Sequence, residues 1–573
     1  PFSHRYGTVV VVGTYEYYDG VQLLPVFCLQ LLSLTYDLIH PMATDAIHIR
    51  LDAQNLLKII PIDIVGRADL PLVRNRIPEE CHPAALPLAR NEFLGQSEDR
   101  TQSREGKRKN NTAFHFGISI VVVGYCASTN LAFFAIFATM KKLITFLCAA
   151  FSAIFLSAGN YPDKADYLWV TVPDHPDWLY ECSENAKVEI QFYKYGIPRD
   201  VTVEYEIATD MLQADRKGKL QLRSGRATLD IGTKKTPGFR DLRLRTEVDG
   251  TVYTHHIKLG FGVDRIEPLV KEPADFLSFW QRNIDQAKET PLKYTREYIP
   301  ELSSEKIDCY LVKLSVDRTH SVYGYLSYPK NAKEKSCPVV LCTPGAGIKT
   351  IKQPLRFRYY PEMGCIRFEM EIHGLDPRLD EKTFSDISAA FGDNVNGYLY
   401  NGIEDKDSYY MKHVYLSLIK ALDMLTSLPE WDGKNVVMQG GSQGGALSLV
   451  ASGLDSRVTH CIVNYPALAD MAAYREKGRT GGYPFKESSA SYLTDEVVKT
   501  LAYYDVVNFA RHITAKVFMT WGYNDDVCPP TTSYAVWNTL NCPKENLITP
   551  INEHWASETT VYRQCLWLMD NLK

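Results

Sequence analysis

The sequence predicts an α/β fold with a mostly parallel sheet, preceded by a small all-β sandwich. Three observations predict it: period-two alternation over residues 166–261, strands and helices that take turns from about residue 307 onward, and a Gly440-Gly441-Ser442-Gln443-Gly444-Gly445 segment set between an apolar strand and a helix.

A chain of 573 residues, 45% hydrophobic and 23% charged, is long enough for about two to four domains with separate cores. Its net charge of −5 gives no basic field for a phosphate backbone, which argues against nucleic acid as a partner. Up to Ala138 the chain mixes apolar runs with a charged, polar stretch, Gln96 to Asn111, without steady periodicity. At Met140 the pattern changes: Lys141 and Lys142 precede an apolar run from Leu143 to Leu156, followed by Ser157, Ala158 and Gly159. This is the order of a secretory signal peptide, and the run of about 14 residues is short against the roughly 20 of a membrane span. The expectation is a signal peptide at 140–159 and a secreted or periplasmic protein without a stable membrane anchor, with an uncleaved anchor as the competing reading. Residues 1–139 are then an upstream segment outside the native protein, against the alternative of a true N-terminal domain. Asn160 stands where a lipoprotein would carry cysteine, which disfavours a lipid anchor.

The sandwich is expected over 160–265. Val201, Val203, Tyr205 and Ile207 alternate with Thr202, Glu204 and Glu206; Ala227, Leu229 and Ile231 repeat the pattern, as do Leu242 and Leu244. Asp249-Gly250 between two such runs is a hairpin turn, because glycine supplies the positive φ that the turn needs. Short strands at this spacing, without a helical stretch, predict an Ig-like sandwich of roughly 100 residues.

The catalytic domain is expected over 266–573. It opens on a helix within 268–291 that sets Phe276, Phe279, Trp280 and Ile284 on one side. Strands follow at 307–314, 321–328, 338–342 and 365–370, then a helix at 408–428 with Val414, Leu418, Ala421, Leu422 and Leu425 on one face. Further strands at 435–438, 460–464, 516–520 and 546–549 alternate with helices, which predicts a parallel sheet covered on both faces. Nine cysteines follow the signal, an odd number without a CxxC pair, and form no readable metal or disulfide framework. No metal or cofactor is implied.

The chemistry centres on Ser442. A strand, Gly-x-Ser-x-Gly and a helix make a nucleophile elbow, the hallmark of the α/β-hydrolase fold, in which serine sits on a sharp, strained turn. The elbow's partners follow in the order Ser, acid, His. Asp525, in the loop after the strand ending Thr520-Trp521-Gly522, is the expected acid, with Asp526 next in line. His554 is the one histidine beyond that loop and is the expected base. The oxyanion hole is assigned to the backbone N–H groups of Gln443 and of Ala346, in Pro344-Gly345-Ala346-Gly347. His373, at a strand end, and Trp555 are expected to contact substrate.

Tyr409-Tyr410 through Leu416, Ala421-Leu422, Leu428-Pro429-Glu430, the Gly440 to Gly445 segment and Val527-Cys528-Pro529-Pro530 resemble the acetyl xylan esterase and cephalosporin C deacetylase family, carbohydrate esterase family 7. The resemblance runs over roughly 270–573. It implies cofactor-free removal of acetyl groups from xylan fragments or similar acetylated carbohydrates, often by homo-oligomers, and its Ser, Asp and His fall on Ser442, Asp525 and His554. The chain departs from the family where Pro344-Gly345-Ala346 replaces His-Gly-Tyr, where His373-Gly374-Leu375-Asp376 replaces Arg-Gly-Gln-Gly, and where Glu553-His554-Trp555 replaces Gly-His-Glu. Two other readings share parts of the pattern. A serine peptidase of the prolyl oligopeptidase type has the same elbow but a larger propeller domain, and a catalytically inactive carbohydrate-binding protein would leave the triad without work.

Overall fold

Alternating side chains can bury one face of a strand only where a second layer covers it, and over residues 166–261 the second layer is another sheet. The computed structural model describes residues 166–392 and 396–572. Ahead of them it describes only four short strands, Val10–Gly13 paired with Ile118–Val121 and Ile47–His48 paired with Asp63–Ile64. The signal-peptide reading at 140–159, and the upstream segment apart from those strands, lie outside the described residues.

The first sheet carries β1 (Tyr167–Pro173), β3 (Ala186–Lys194) and β7 (Arg226–Gly232) in the order β7-β3-β1, with the short β4 (Ile197–Pro198) paired to β3. The second carries β2 (Leu179–Tyr180), β5 (Thr202–Thr209), β6 (Ala214–Gln221), β8 (Gly238–Val248) and β9 (Thr251–Phe261) in the order β6-β5-β8-β9-β2. Val188, Ile190, Phe192 and Ile231 of one sheet and Val203, Ile207, Leu242, Leu244, Ile257 and Leu259 of the other form one buried cluster, so the two sheets make a sandwich. The β8–β9 hairpin pairs Val248 with Thr251 across Asp249 (φ 54°) and Gly250 (φ 76°), the two consecutive positive φ angles of a type I′ turn.

The linker helix α1 (Phe276–Lys288) buries Phe276, Phe279, Trp280 and Ile284, the face expected from their spacing. Beyond it lies a nine-stranded sheet. Its strands are β10 (Lys293–Tyr298), β11 (Ile307–Ser315), β12 (Ser321–Pro329), β13 (Cys337–Thr343), β14 (Ile366–Glu371), β15 (Trp431–Gly441), β16 (His460–Asn464), β17 (Lys516–Trp521) and β18 (Lys544–Ile548). They are ordered β10-β11-β12-β14-β13-β15-β16-β17-β18. The pairings among β10, β11, β12 and β14 are antiparallel, and those from β14 through β13 to β18 are parallel. This is an α/β-hydrolase sheet.

Central strands here are buried on both faces rather than alternating: β16, His-Cys-Ile-Val-Asn, is buried at all five positions because helices cover both faces. The edge strand β10, with sequence Lys-Tyr-Thr-Arg-Glu-Tyr, has no counterpart among the expected strands. It is exposed at five of six positions and carries no buried face for a hydrophobic pattern to report. Helix Met411–Thr426 packs Val414, Leu418, Ala421, Leu422 and Leu425 into the main core. All nine cysteines from Cys182 onward are free thiols, seven of them buried. Among the described residues no helix is long and apolar enough to cross a membrane.

Candidate active site

Strand β15 ends at Gly441 and helix α2 (Gln443–Leu454) begins one residue later, which forces Ser442 into φ 60°, ψ −125°. A non-glycine residue at such an angle is strained, and the fold holds it there: Ser442 N–H donates to Asn464 O (3.0 Å), and Ser442 O accepts from Ala446 and Ala467. The glycines make room for the reversal. A Cβ at Gly440 would lie 2.4 Å from the Gly444 carbonyl, and one at Gly444 would lie 2.3 Å from Thr343 O. The start of α2 is thus pressed against the end of β13, and Thr343 Oγ1 donates to Gly444 O at 2.7 Å.

The strand β17 delivers the expected acid. Asp525 is fully buried; its Oδ1 accepts the backbone N–H groups of Val527 (2.7 Å) and Cys528 (2.8 Å), and its Oδ2 lies 2.7 Å from His554 Nδ1. A carboxylate only accepts, so the imidazole proton sits on Nδ1 and leaves Nε2 as an acceptor. Ser442 Oγ is 2.9 Å from that Nε2. The acid and base loops are also tied to each other, because Asn524 N–H donates to Asn552 O (3.1 Å). Asp526, the second candidate acid, faces the other way: Arg243 donates to both its carboxylate oxygens, and Lys258 lies 2.7 Å from Oδ1. Burial opposes ionisation of Asp526, yet these two cations hold its carboxyl down at about 2. The pair left open in the sequence is therefore resolved in favour of Asp525 as the partner of His554.

Gln443 and Ala346 flank the serine on the two segments that meet at Gly444. Neither backbone N–H has an acceptor among the described residues, as an oxyanion hole requires of its donors. The Gln443 side chain is buried, and its Oε1 accepts from Tyr398 Oη at 2.6 Å. Burial lifts the Tyr398 phenol to about 12, so it stays protonated and able to donate. The same hydroxyl accepts the Gly347 N–H (3.1 Å), and one phenol thus ties the 344–347 loop to the residue after the nucleophile. Sequence reasoning missed Tyr398. It stands 45 residues from Gln443 in a 3₁₀ turn, Gly397–Tyr400, that carries no motif. The family's tyrosine is absent at Ala346, and a hydroxyl arrives at the loop from Tyr398 instead. Changing Tyr398→Phe is expected to lower kcat on an acetyl ester about 10-fold, a fraction of the 10²–10³ that follows loss of an oxyanion donor itself. It should also destabilise the fold by about 1–3 kcal/mol through the two orphaned groups, read by thermal melting.

His373 packs edge-on against Tyr398 (centroids 4.8 Å) and lies 2.8 Å from Tyr410 Oη through Nδ1. Burial pushes its imidazole down to about 3, so it is neutral, and it reaches the serine region by way of Tyr398. Trp555, next in sequence to His554, is half exposed.

The sequence profile of the family described as acetyl xylan esterase (AXE1) matches residues 263–571. A curated relative, acetyl esterase Axe7A of Xylanibacter ruminicola, is 55% identical over 435 residues, 76% of this chain and 98% of the relative. Similar solved structures include an acetyl xylan esterase from Paenibacillus sp. R4 (25% identity, 54% of this chain and 98% of that one, TM-score 0.48). Another is acetyl xylan esterase 1 from Thermoanaerobacterium sp. JW/SL YS485 (22% identity, 54% and 97%, TM-score 0.46). A buried carboxylate, an imidazole and a serine in one hydrogen-bonded line, on a chain whose match to the profile spans more than half its length, identify it as a serine ester hydrolase that belongs to the acetyl xylan esterase family.

Proposed function

We propose that the protein removes acetyl groups from acetylated carbohydrates such as xylan fragments, with Ser442 as nucleophile, His554 as general base and then acid, and Asp525 as the residue that orients the imidazole. The observation that carries this reading is the continuous contact from Asp525 Oδ2 through His554 to Ser442 Oγ, at 2.7 and 2.9 Å. His554 Nε2 takes the proton as Ser442 Oγ attacks the acetyl carbon. The Gln443 and Ala346 N–H groups stabilise the tetrahedral oxyanion, His554 returns the proton to the departing sugar oxygen, and water then releases acetate by the reverse sequence. Trp555 supports a carbohydrate in particular, because an exposed indole offers a flat apolar face to the C–H side of a sugar ring.

Acetate release from acetylated xylo-oligosaccharides, measured beside other acetylated glycans and an aminoacyl-proline anilide, tests the substrate class. The expected result is rapid release from the sugar esters and none from the anilide. Cleavage of the anilide with no acetate from any glycan would move the protein to the peptidase reading.

Export to the periplasm or medium belongs to the same proposal and rests on the charged, apolar and small residues of 140–159. A native N-terminus near Asn160 or Tyr161 by peptide mapping is its expected sign, and peptides from Asp45 to Arg90 would contradict it. Homo-oligomeric assembly also belongs to this reading and rests on the family resemblance.

A further inference from the structure

The turn that carries Asp525 is gripped from outside the catalytic sheet. Strand β9 of the sandwich is covered by β2 only at Gly260 and Phe261, and ahead of that contact its residues 256 and 258 face residues 524–526. Lys258 N–H donates to Asn524 Oδ1 (2.9 Å), and His256 Nε2 lies 2.9 Å from Asn524 O. The Lys258 side chain is fully buried; its ammonium donates to Asp525 O at 2.7 Å and forms ion pairs with Asp526 Oδ1 at 2.7 Å and Asp210 Oδ1 at 2.9 Å. Arg243 of β8 closes the cluster by bridging Asp241 and Asp526. Asp210, at the end of β5, is anchored to the catalytic domain in turn, for its Oδ2 accepts from Thr531 Oγ1 (2.8 Å) and its backbone oxygen from Thr480 Oγ1 (2.6 Å).

An apolar contact of the same size would join two domains at least as stably as buried ions, whose desolvation offsets most of their attraction. What the ions add is direction. An ammonium that donates to the carbonyl of residue 525 and pairs with the carboxylate of residue 526 fixes the peptide plane from which the Asp525 side chain leaves.

We infer that the sandwich is a working part of the catalytic unit, in which Lys258, assisted by His256, is a positioning residue that clamps the 524–526 turn and so aims the Asp525 carboxylate at His554. This rests on Asp525 being the residue that orients the base. Lys258 touches neither substrate nor reacting atoms; it acts through Asp525.

The test uses the full chain and 4-nitrophenyl acetate. Lys258→Met alone would strand the buried Asp210 charge, so it is combined with Asp210→Asn, and His256→Ala supplies a milder variant should the pair fail to fold. For a folded double variant, kcat should fall about 10- to 100-fold with KM changed less than about 2-fold, since displacing a catalytic group by a fraction of an ångström acts on the chemical step. The acid limb of the kcat/KM profile should move to lower pH, because a poorly aimed carboxylate stabilises the imidazolium less. His256→Ala should act in the same direction by about 3- to 10-fold. In an Asp525→Asn background the Lys258 and Asp210 changes should add less than about 2-fold, as expected of residues that act through one another. Native kcat and an unmoved pH limb in the folded variants, with Asp525→Asn inactive, would overturn the clamp alone. A full, additive loss on top of Asp525→Asn would also overturn it. A native rate in Asp525→Asn itself would instead remove the catalytic role of Asp525, and the clamp with it.

Discussion

Ser442→Ala is expected to slow acetyl ester hydrolysis by about 10⁴- to 10⁶-fold, the range seen when the nucleophile of a triad is removed. The loss falls on chemistry rather than on folding. Ser442 holds its strained φ and ψ through backbone hydrogen bonds to Asn464, Ala446 and Ala467, all of which an alanine keeps. Its hydroxyl bonds His554 and also meets the buried Cys528 thiol, so the substitution costs one imidazole contact and one weak sulfur contact. What remains is the rate supplied by the oxyanion donors and by substrate binding. Turnover of 4-nitrophenyl acetate and a thermal melt, compared with the native chain, check both halves: a near-native melt with near-native turnover would sink the nucleophile assignment.

Asp525→Asn is expected to cost about 10⁴ in kcat, and for a tautomeric reason. The two backbone N–H groups of Val527 and Cys528 demand an acceptor at Oδ1, so the new amide must keep its oxygen there and turn its NH₂ toward His554. Nδ1 then becomes the acceptor, the imidazole proton moves to Nε2, and Nε2 can no longer take the proton of Ser442. Asp526→Asn should be far milder, because that carboxylate meets Lys258 and Arg243 and not the base. Parallel kcat measurements on the two variants decide between the neighbouring aspartates, and an equal or reversed ranking would contradict the geometry.

The proposed nucleophile and base and the fold class were legible in the sequence because each depends on local rules. A serine reversal needs glycines at fixed offsets, a buried strand needs an apolar run, and in this fold the base lies beyond the last strand; Ser442, β16 and His554 obey these rules. The linker helix was legible for the same reason, since Phe276, Phe279, Trp280 and Ile284 share a face at helical spacing. Strand β10 was not, because an exposed edge strand has no buried side to write into its residue pattern. The choice between Asp525 and Asp526 was not either: adjacent residues point to opposite sides of the turn, and only the turn's conformation says which side holds the histidine.

The residues that tune the site were the least legible. Tyr398 reaches Gln443 across 45 positions, and Lys258 reaches Asp525 across 267, with no periodicity or motif to connect them. A lysine within a strand of a sandwich reads as a solvated side chain, and it becomes a fully buried ammonium only because the catalytic domain docks over it. The sequence by itself singled out the serine and the histidine proposed to do the chemistry, and a sheet that delivers both to one end. The tertiary structure decided which aspartate meets the histidine, which hydroxyl ties Gln443 to the 344–347 loop, and which face of the sandwich contacts the 524–526 turn. Motifs record backbone geometry that repeats wherever the same reaction is done, whereas contacts between distant segments depend on how two folded surfaces meet.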